Sequence, residues 1–167
     1  MKSYTLALLP LLSITVLAVP GQAETPAEAV IDQMRATNVQ RLLLTNRCDR
    51  CDLVGVDLSQ THLIGADLRG AILIGANLSW SNLEGADLTQ ANLTGANLTG
   101  AFLTNASLAD ADLDNVNFTQ AQLYYVDVTG ASMENLNLVD AAVVGTPISI
   151  GGSIEPTDAD LPVLMPD

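Results

Sequence analysis

Basic residues are almost missing from this 167-residue chain. Lys2 is its single lysine, and the five arginines all fall between positions 35 and 69. Against nineteen Asp and Glu they leave a net charge of −13. Such a surface repels phosphate backbones and anionic lipid, so nucleic acid is excluded as a partner. It reads as a solvated wall or as a docking face for a basic partner. Histidine is limited to His62, with no Ser or Cys nucleophile to join it, so it reads as a surface residue. Asp110, Asp112 and Asp114 resemble the start of a calcium loop. Asn115 stands where that loop needs Gly, and Ala121 where it needs a bidentate Glu. No catalytic residue, metal or cofactor is therefore expected, and the chain reads as non-enzymatic. Aromatic residues make up only 4% of the chain.

What is present in excess is a period of five. From Leu53 to Ile148 one column is apolar at every fifth position, including Leu58, Leu63, Leu93, Phe118, Val128 and Met133. Two residues earlier runs a column of small side chains, such as Ala66, Ala86 and Ala106, and Asp or Asn recurs between the two. Five matches neither the 3.6 of a helix nor the 2 of a strand. It matches a chain that takes a short extended step and then turns a corner. The two apolar columns then point inward and the Asp/Asn outward. The second corner residue is Gly, Asn or Asp at most positions, as a type II turn requires where φ is positive. Gln60, Trp80, Gln90, Gln120 and Tyr125 break that rule, and their corners are expected to use a different turn type.

Ala86-Asp87-Leu88-Thr89-Gln90, Ala91-Asn92-Leu93-Thr94-Gly95 and Ala96-Asn97-Leu98-Thr99-Gly100 are near-perfect copies of the motif A(D/N)LxX. With them the chain resembles the pentapeptide-repeat family over about 100 residues. The resemblance implies an all-β solenoid: a right-handed quadrilateral parallel β-helix with four repeats per coil, hence about five coils here. Leu53, Leu73, Leu93, Leu113 and Met133 would then stack in one ladder. Each coil of such a solenoid relies on its neighbours to bury its leucines.

The flanks read differently. Residues 1–23 have the pattern of a secretory signal peptide. Lys2 opens it, an apolar run from Tyr4 to Val19 follows, and Gly21 and Ala23 mark the cleavage site. Cleavage would leave five arginines against nineteen acids, a net charge of −14, and no membrane segment. Residues 24–40 are assigned to an N-terminal helical cap, with the helix itself at 25–37. Thr25, Pro26 and Glu28 supply its start, and Ala27, Val30, Ile31 and Met34 form the face expected to cover the first coil. The repeat is assigned to 41–150, beginning with an imperfect coil that includes Leu43. Residues 151–167 form an acidic, Pro-containing tail. Cys48 and Cys51 are the only cysteines, and in an exported chain they are expected to form a disulfide clamping cap to coil.

Within the four-sided arrangement, Ile64, Phe102, Tyr124 and Val144 share one outward face with Tyr125, and Trp80 stands at an adjoining corner. Exposed aromatics on a polar wall mark partner contact, so this patch is the candidate site for an unknown protein partner. The resemblance is closest to exported cyanobacterial members of the family, which implies the thylakoid lumen or periplasm and a structural or interaction role. A second reading is an acidic DNA mimic acting on an enzyme such as gyrase. A third is redox use of Cys48 and Cys51. The chain is expected as a monomer, or as a dimer through its C-terminal coil.

Overall fold

The computed structural model describes residues 25–148. The expected signal peptide and the tail from 151 lie outside the described residues. Between them the backbone pairs with itself twenty residues on. The central residue of each extended step makes a parallel bridge with its counterpart, building four ladders of five rungs. The first wall is Arg47, Asp67, Asp87, Ser107 and Asp127; the second is Asp52, Ile72, Asn92, Asp112 and Ser132. The third is Asp57, Asn77, Asn97, Asn117 and Asn137. The fourth is His62, Asn82, Phe102 and Gln122, completed where strand β1 (Gln122–Tyr124) pairs in parallel with β2 (Ala142–Val144). A twenty-residue spacing places four pentapeptides in each turn.

The hydrogen bonds explain the motif residue by residue. In a typical repeat the Asp87 N–H donates to Ala66 O at 2.9 Å, and the Leu88 N–H to Ser107 O at 2.8 Å. The corner closes when the Ala91 N–H donates to Leu88 O at 2.9 Å. The outward Asp or Asn has a task that its exposure alone does not suggest. Its Oδ1 accepts the N–H two residues on, as at Asp87 to Thr89 (3.0 Å), Asn97 to Thr99 (3.1 Å) and Asn117 to Thr119 (3.1 Å). This Asx turn satisfies a corner N–H that no coil neighbour reaches.

Every corner from Arg50 to Gly145 has the same left-handed second residue. Gln60, Trp80, Gln90, Gln120 and Tyr125 lie at φ between 54° and 59°, beside glycines such as Gly55 at 65° and Gly95 at 66°. The expectation of a separate turn type for those five is corrected. Their N–H groups are committed to the next coil, as Trp80 to Thr99 O and Gln90 to Ala109 O, both at 2.8 Å. A different turn would forfeit that bond, so the left-handed strain of about 1–2 kcal/mol is tolerated.

The two inward columns fill the interior. Leu53, Leu73, Leu93 and Leu113 are buried in one stack, with Ala66, Ala86 and Ala106 in the small column. Ser81 replaces an alanine there and is fully buried; its hydroxyl donates to Leu78 O at 2.7 Å. At the lower end the column opens. Met133 and Leu138 are only partly buried, and Val143 is exposed. Pro147 explains the stop. It occupies the position whose N–H would continue the ladder to Val126 O, and proline has none to give.

The upper end is covered by helix α1 (Pro26–Thr45). Thr25 and Glu28 form the expected capping box, and Asn46 ends the helix in a left-handed cap with its N–H on Leu42 O at 2.7 Å. Two expectations are corrected here. The helix continues to Thr45, past residues 37 and 40, so residues 41–45 are not coil and Leu43 is exposed. The Gln40 to Leu44 run consists of strong helix formers with no breaker before Asn46. Nor does the face with Val30, Ile31 and Met34 cover the tower; all three are exposed. The covering face is Arg35, Asn38, Val39 and Leu42, at positions i, i+3, i+4 and i+7. Leu42 is buried, Asn38 Nδ2 donates to Asp52 O at 3.0 Å, and Arg35 Nε pairs with Asp52 Oδ1 at 3.1 Å.

Candidate functional site: an aromatic wall and a disulfide beneath the cap

The fourth wall and its two bordering corners carry the expected patch. Ile64, Trp80, Phe102, Tyr125 and Val144 are exposed; Tyr124 is half-buried, paired through its backbone with Val144. The rings at the corners are seated on glycine. A Cβ built on Gly100 would overlap Cε3, Cζ3 and Cδ2 of Trp80, the last at 2.6 Å. A Cβ built on Gly145 would overlap Cδ1 and Cε1 of Tyr125, the latter at 2.7 Å. Each ring therefore lies with one face on the glycine of the next coil and the other toward solvent. Trp80 at 52% and Tyr125 at 65% exposure fit that half-covered posture. The pattern was visible as an aromatic followed twenty residues later by Gly, one coil on in the four-repeat register, but the register alone does not say that the ring lies down on that glycine.

Sequence reasoning missed a second apolar region. Ile72 and Ile74 on the second wall are exposed. Above them, an open groove of about 580 Å³ between α1 and the first coil is lined by Ala36, Val39, Val54 and Val56, with Asp32, Arg35 and Asp57 at its rim. The signal lay in the two isoleucines standing where Asp, Asn or Thr is usual.

Cys48 and Cys51 are joined in a disulfide, both buried beneath α1. The Arg41 guanidinium lies against Cys51 Sγ. The bridge thus ties the first coil's entry to the segment under the cap, with no exposed sulfur for exchange.

The charged groups serve the walls. Arg69 pairs with Asp67 at 2.8 Å and reaches Asp87 at 3.6 Å; its hydrogen bond holds the Asp67 carboxyl below the usual range. Asp57 is held low by the Ser59 hydroxyl and N–H, and Asp127 likewise by Thr129. Asp114 accepts from the Ser132 hydroxyl and the Glu134 N–H of the next coil, which lower it in the same way. For Asp52, partial burial works upward but is outweighed by the Val54 N–H and by Arg35. Asp110 is exposed, Asp112 turns its Oδ1 to the Asp114 N–H, and the trio does not converge. His62 is an exposed rung of the fourth wall. Among the described residues no group of three His, Cys, Asp or Glu is arranged to hold a metal ion.

Comparison with known proteins places this architecture. The family model described as pentapeptide repeats matches eight copies, over residues 51–90 and 91–130. No curated protein sequence matches the chain. Among solved structures, alr5209, a pentapeptide repeat protein from Nostoc Pcc 7120, is 30% identical. It covers 65% of this chain and 93% of its own, with a TM-score of 0.53. Rfr23 from the cyanobacterium Cyanothece 51142 is 29% identical over 66% of this chain and 92% of its own, with a TM-score of 0.45. QnrB1, a plasmid-mediated fluoroquinolone resistance protein, is 18% identical over 60% of this chain and 56% of its own, with a TM-score of 0.51; at that identity the likeness is one of fold. With its twenty-residue ladders, its left-handed corners, the repeat matches over 51–130 and the likeness to alr5209, the chain belongs to the pentapeptide repeat family.

Proposed function

We propose that this chain is a non-enzymatic docking module, a right-handed quadrilateral β-helix of five coils closed at its upper end by α1, that binds a protein partner through its fourth wall. The observation that carries the reading is the concentration of Trp80, Phe102, Tyr125, Ile64 and Val144 on one wall and its borders. Exposed aromatics of this kind dominate interface energetics when a partner desolvates them. The other surfaces below Arg69 carry no cation and many carboxylates, which keeps them solvated.

The compartment follows from the cysteines and the leader. A buried disulfide with no free thiol among the described cysteines suits an oxidising space, and the first 23 residues have a secretory pattern. The thylakoid lumen or periplasm of a cyanobacterium fits both, and a cyanobacterial relative supports the source. The burial of Cys48 and Cys51 favours a clamp over redox exchange. The test is capture from lysate with the mature chain and with a Phe102→Ser, Tyr124→Ser variant. Loss of the captured protein with the variant is expected. If every captured partner stays bound, the fourth wall is not the interface.

A further inference from the structure

We propose that the fourth wall recognises an extended, proline-rich segment of its partner in polyproline II conformation, flanked by a basic residue. The inference rests on the docking reading above and names the partner's chemistry. Several observations lead to it. First, the middle of the wall offers no edge: Asn82, Phe102 and Gln122 are each paired above and below, so a partner strand cannot add to it there. Second, the wall presents ring faces instead of a groove. Trp80 and Tyr125 each have one face fixed on a glycine and the other open. Proline rings pack on such faces, and a polyproline II chain loses little entropy on binding because it is already extended.

The spacing fits. Coils advance about 4.8 Å, and Trp80 stands on the second corner of its column while Tyr125 stands on the fourth of the next. The two seats are thus about 10 Å apart along the axis, on opposite edges of a wall about 10 Å wide. The oblique path between them is about 14 Å, four to five residues of polyproline II at about 3.1 Å each. Phe102, on the third rung, lies between the two seats.

Polar chemistry and charge agree. A polyproline II backbone has no internal hydrogen bonds, so its carbonyls seek donors. The wall supplies the Trp80 indole N–H, the Tyr124 and Tyr125 hydroxyls, and the Asn82 Nδ2, whose Oδ1 partner already serves the Glu84 N–H. Glu84 and Asp140 are the only charged residues on this wall and its bordering corners, which favours Lys or Arg beside the prolines.

Trp80 is the sole tryptophan, so its emission reports on the site directly. The experiment titrates the full chain with a decamer of proline carrying one terminal arginine. A saturable change in Trp80 emission is expected, absent with a decamer in which alternate prolines are glycine. Tyr125→Ala, which keeps the reporter, should weaken the apparent affinity by about fivefold or more. Phe102→Ser should do likewise, while Ile74→Ser on the second wall should leave it unchanged; circular dichroism checks that each variant folds. No saturable change, an equal response to the glycine-containing decamer, or a response only to cellohexaose added in its place would overturn the proposal. If oligoproline is ignored but the Phe102→Ser, Tyr124→Ser variant still loses its captured protein, the polyproline inference falls and the docking reading stands.

Discussion

Gly100 and Gly95 offer a controlled pair of perturbations. Both are corner residues at φ +66°, but a Cβ on Gly95 meets nothing within 4 Å, whereas one on Gly100 runs into the Trp80 ring. Gly95→Ala therefore measures the left-handed backbone term alone, about 1–2 kcal/mol. Gly100→Ala carries the same term and must also lift the ring from its seat. A Trp side chain offers up to about 250 Å², and with 52% of Trp80 exposed about 100 Å² rests on its surroundings, worth at most about 2.5 kcal/mol. Partial displacement should forfeit about 1–2 kcal/mol of that, for a total of about 2–4 kcal/mol. The assay is thermal or urea unfolding, with coincident circular dichroism and fluorescence transitions checking that the tower unfolds as one unit. In a Trp80→Ala background the extra cost of Gly100→Ala should vanish, leaving it equal to Gly95→Ala. A double-mutant coupling below about 0.3 kcal/mol, or equal costs for the two glycine substitutions in the parent chain, would refute the seated ring.

Leu93→Ala, in the fully buried mid-stack, should cost about 3–5 kcal/mol by calorimetry or urea midpoint, while Met133→Ala at the open lower end should cost less than half as much. Asp57 has a folded pKa held below its ordinary value by Ser59. Its contribution is complete above the unfolded pKa and lost as pH falls through the folded one. Asp57→Asn keeps the acceptor without the titration, so its melting temperature should fall less than the parent's between about pH 4 and pH 2; the shrinking net charge acts on both chains alike. Replacing Cys48 and Cys51 with serine opens a loop of sequence separation 3, so the loss should be only about 2 kcal/mol. Thiol titration of the native, unreduced chain should find no free sulfhydryl.

Much of this was written in the period of five. Leu53 to Leu123 identified themselves as core because their column is apolar at every step, and Thr25-Pro26-Glu28 announced a helix start by local hydrogen bonding alone. The aromatic wall followed from register once four repeats per coil were assumed. The covering face of α1 did not follow. Ala27, Val30, Ile31 and Met34 are the more apolar stripe, yet the stripe that docks contains Arg35 and Asn38 because Asp52, its side chain and its carbonyl, lies beneath it. That choice depends on a tertiary contact that no helical periodicity encodes. The corners failed for a related reason. Side-chain preference argued for a second turn type at Trp80 and Tyr125, but coil-to-coil hydrogen bonds fix the backbone first and the side chains adapt to it. The Asx turns were hidden because an outward Asp and a capping Asp look identical in a sequence.

The twenty-residue pairing interval sets the rules by which such a chain can change length. Inserting or deleting one pentapeptide keeps every leucine inside yet rotates all that follows by a quarter turn. An insertion between Trp80 and Tyr125 would leave them on corners that no longer border one wall, a deletion there would bring both to the same corner, and either change between Tyr125 and Gly145 would take the glycine from its place beneath the tyrosine. Only whole turns of twenty residues are silent to the surface pattern, so the five-residue unit governs folding while the twenty-residue unit governs recognition.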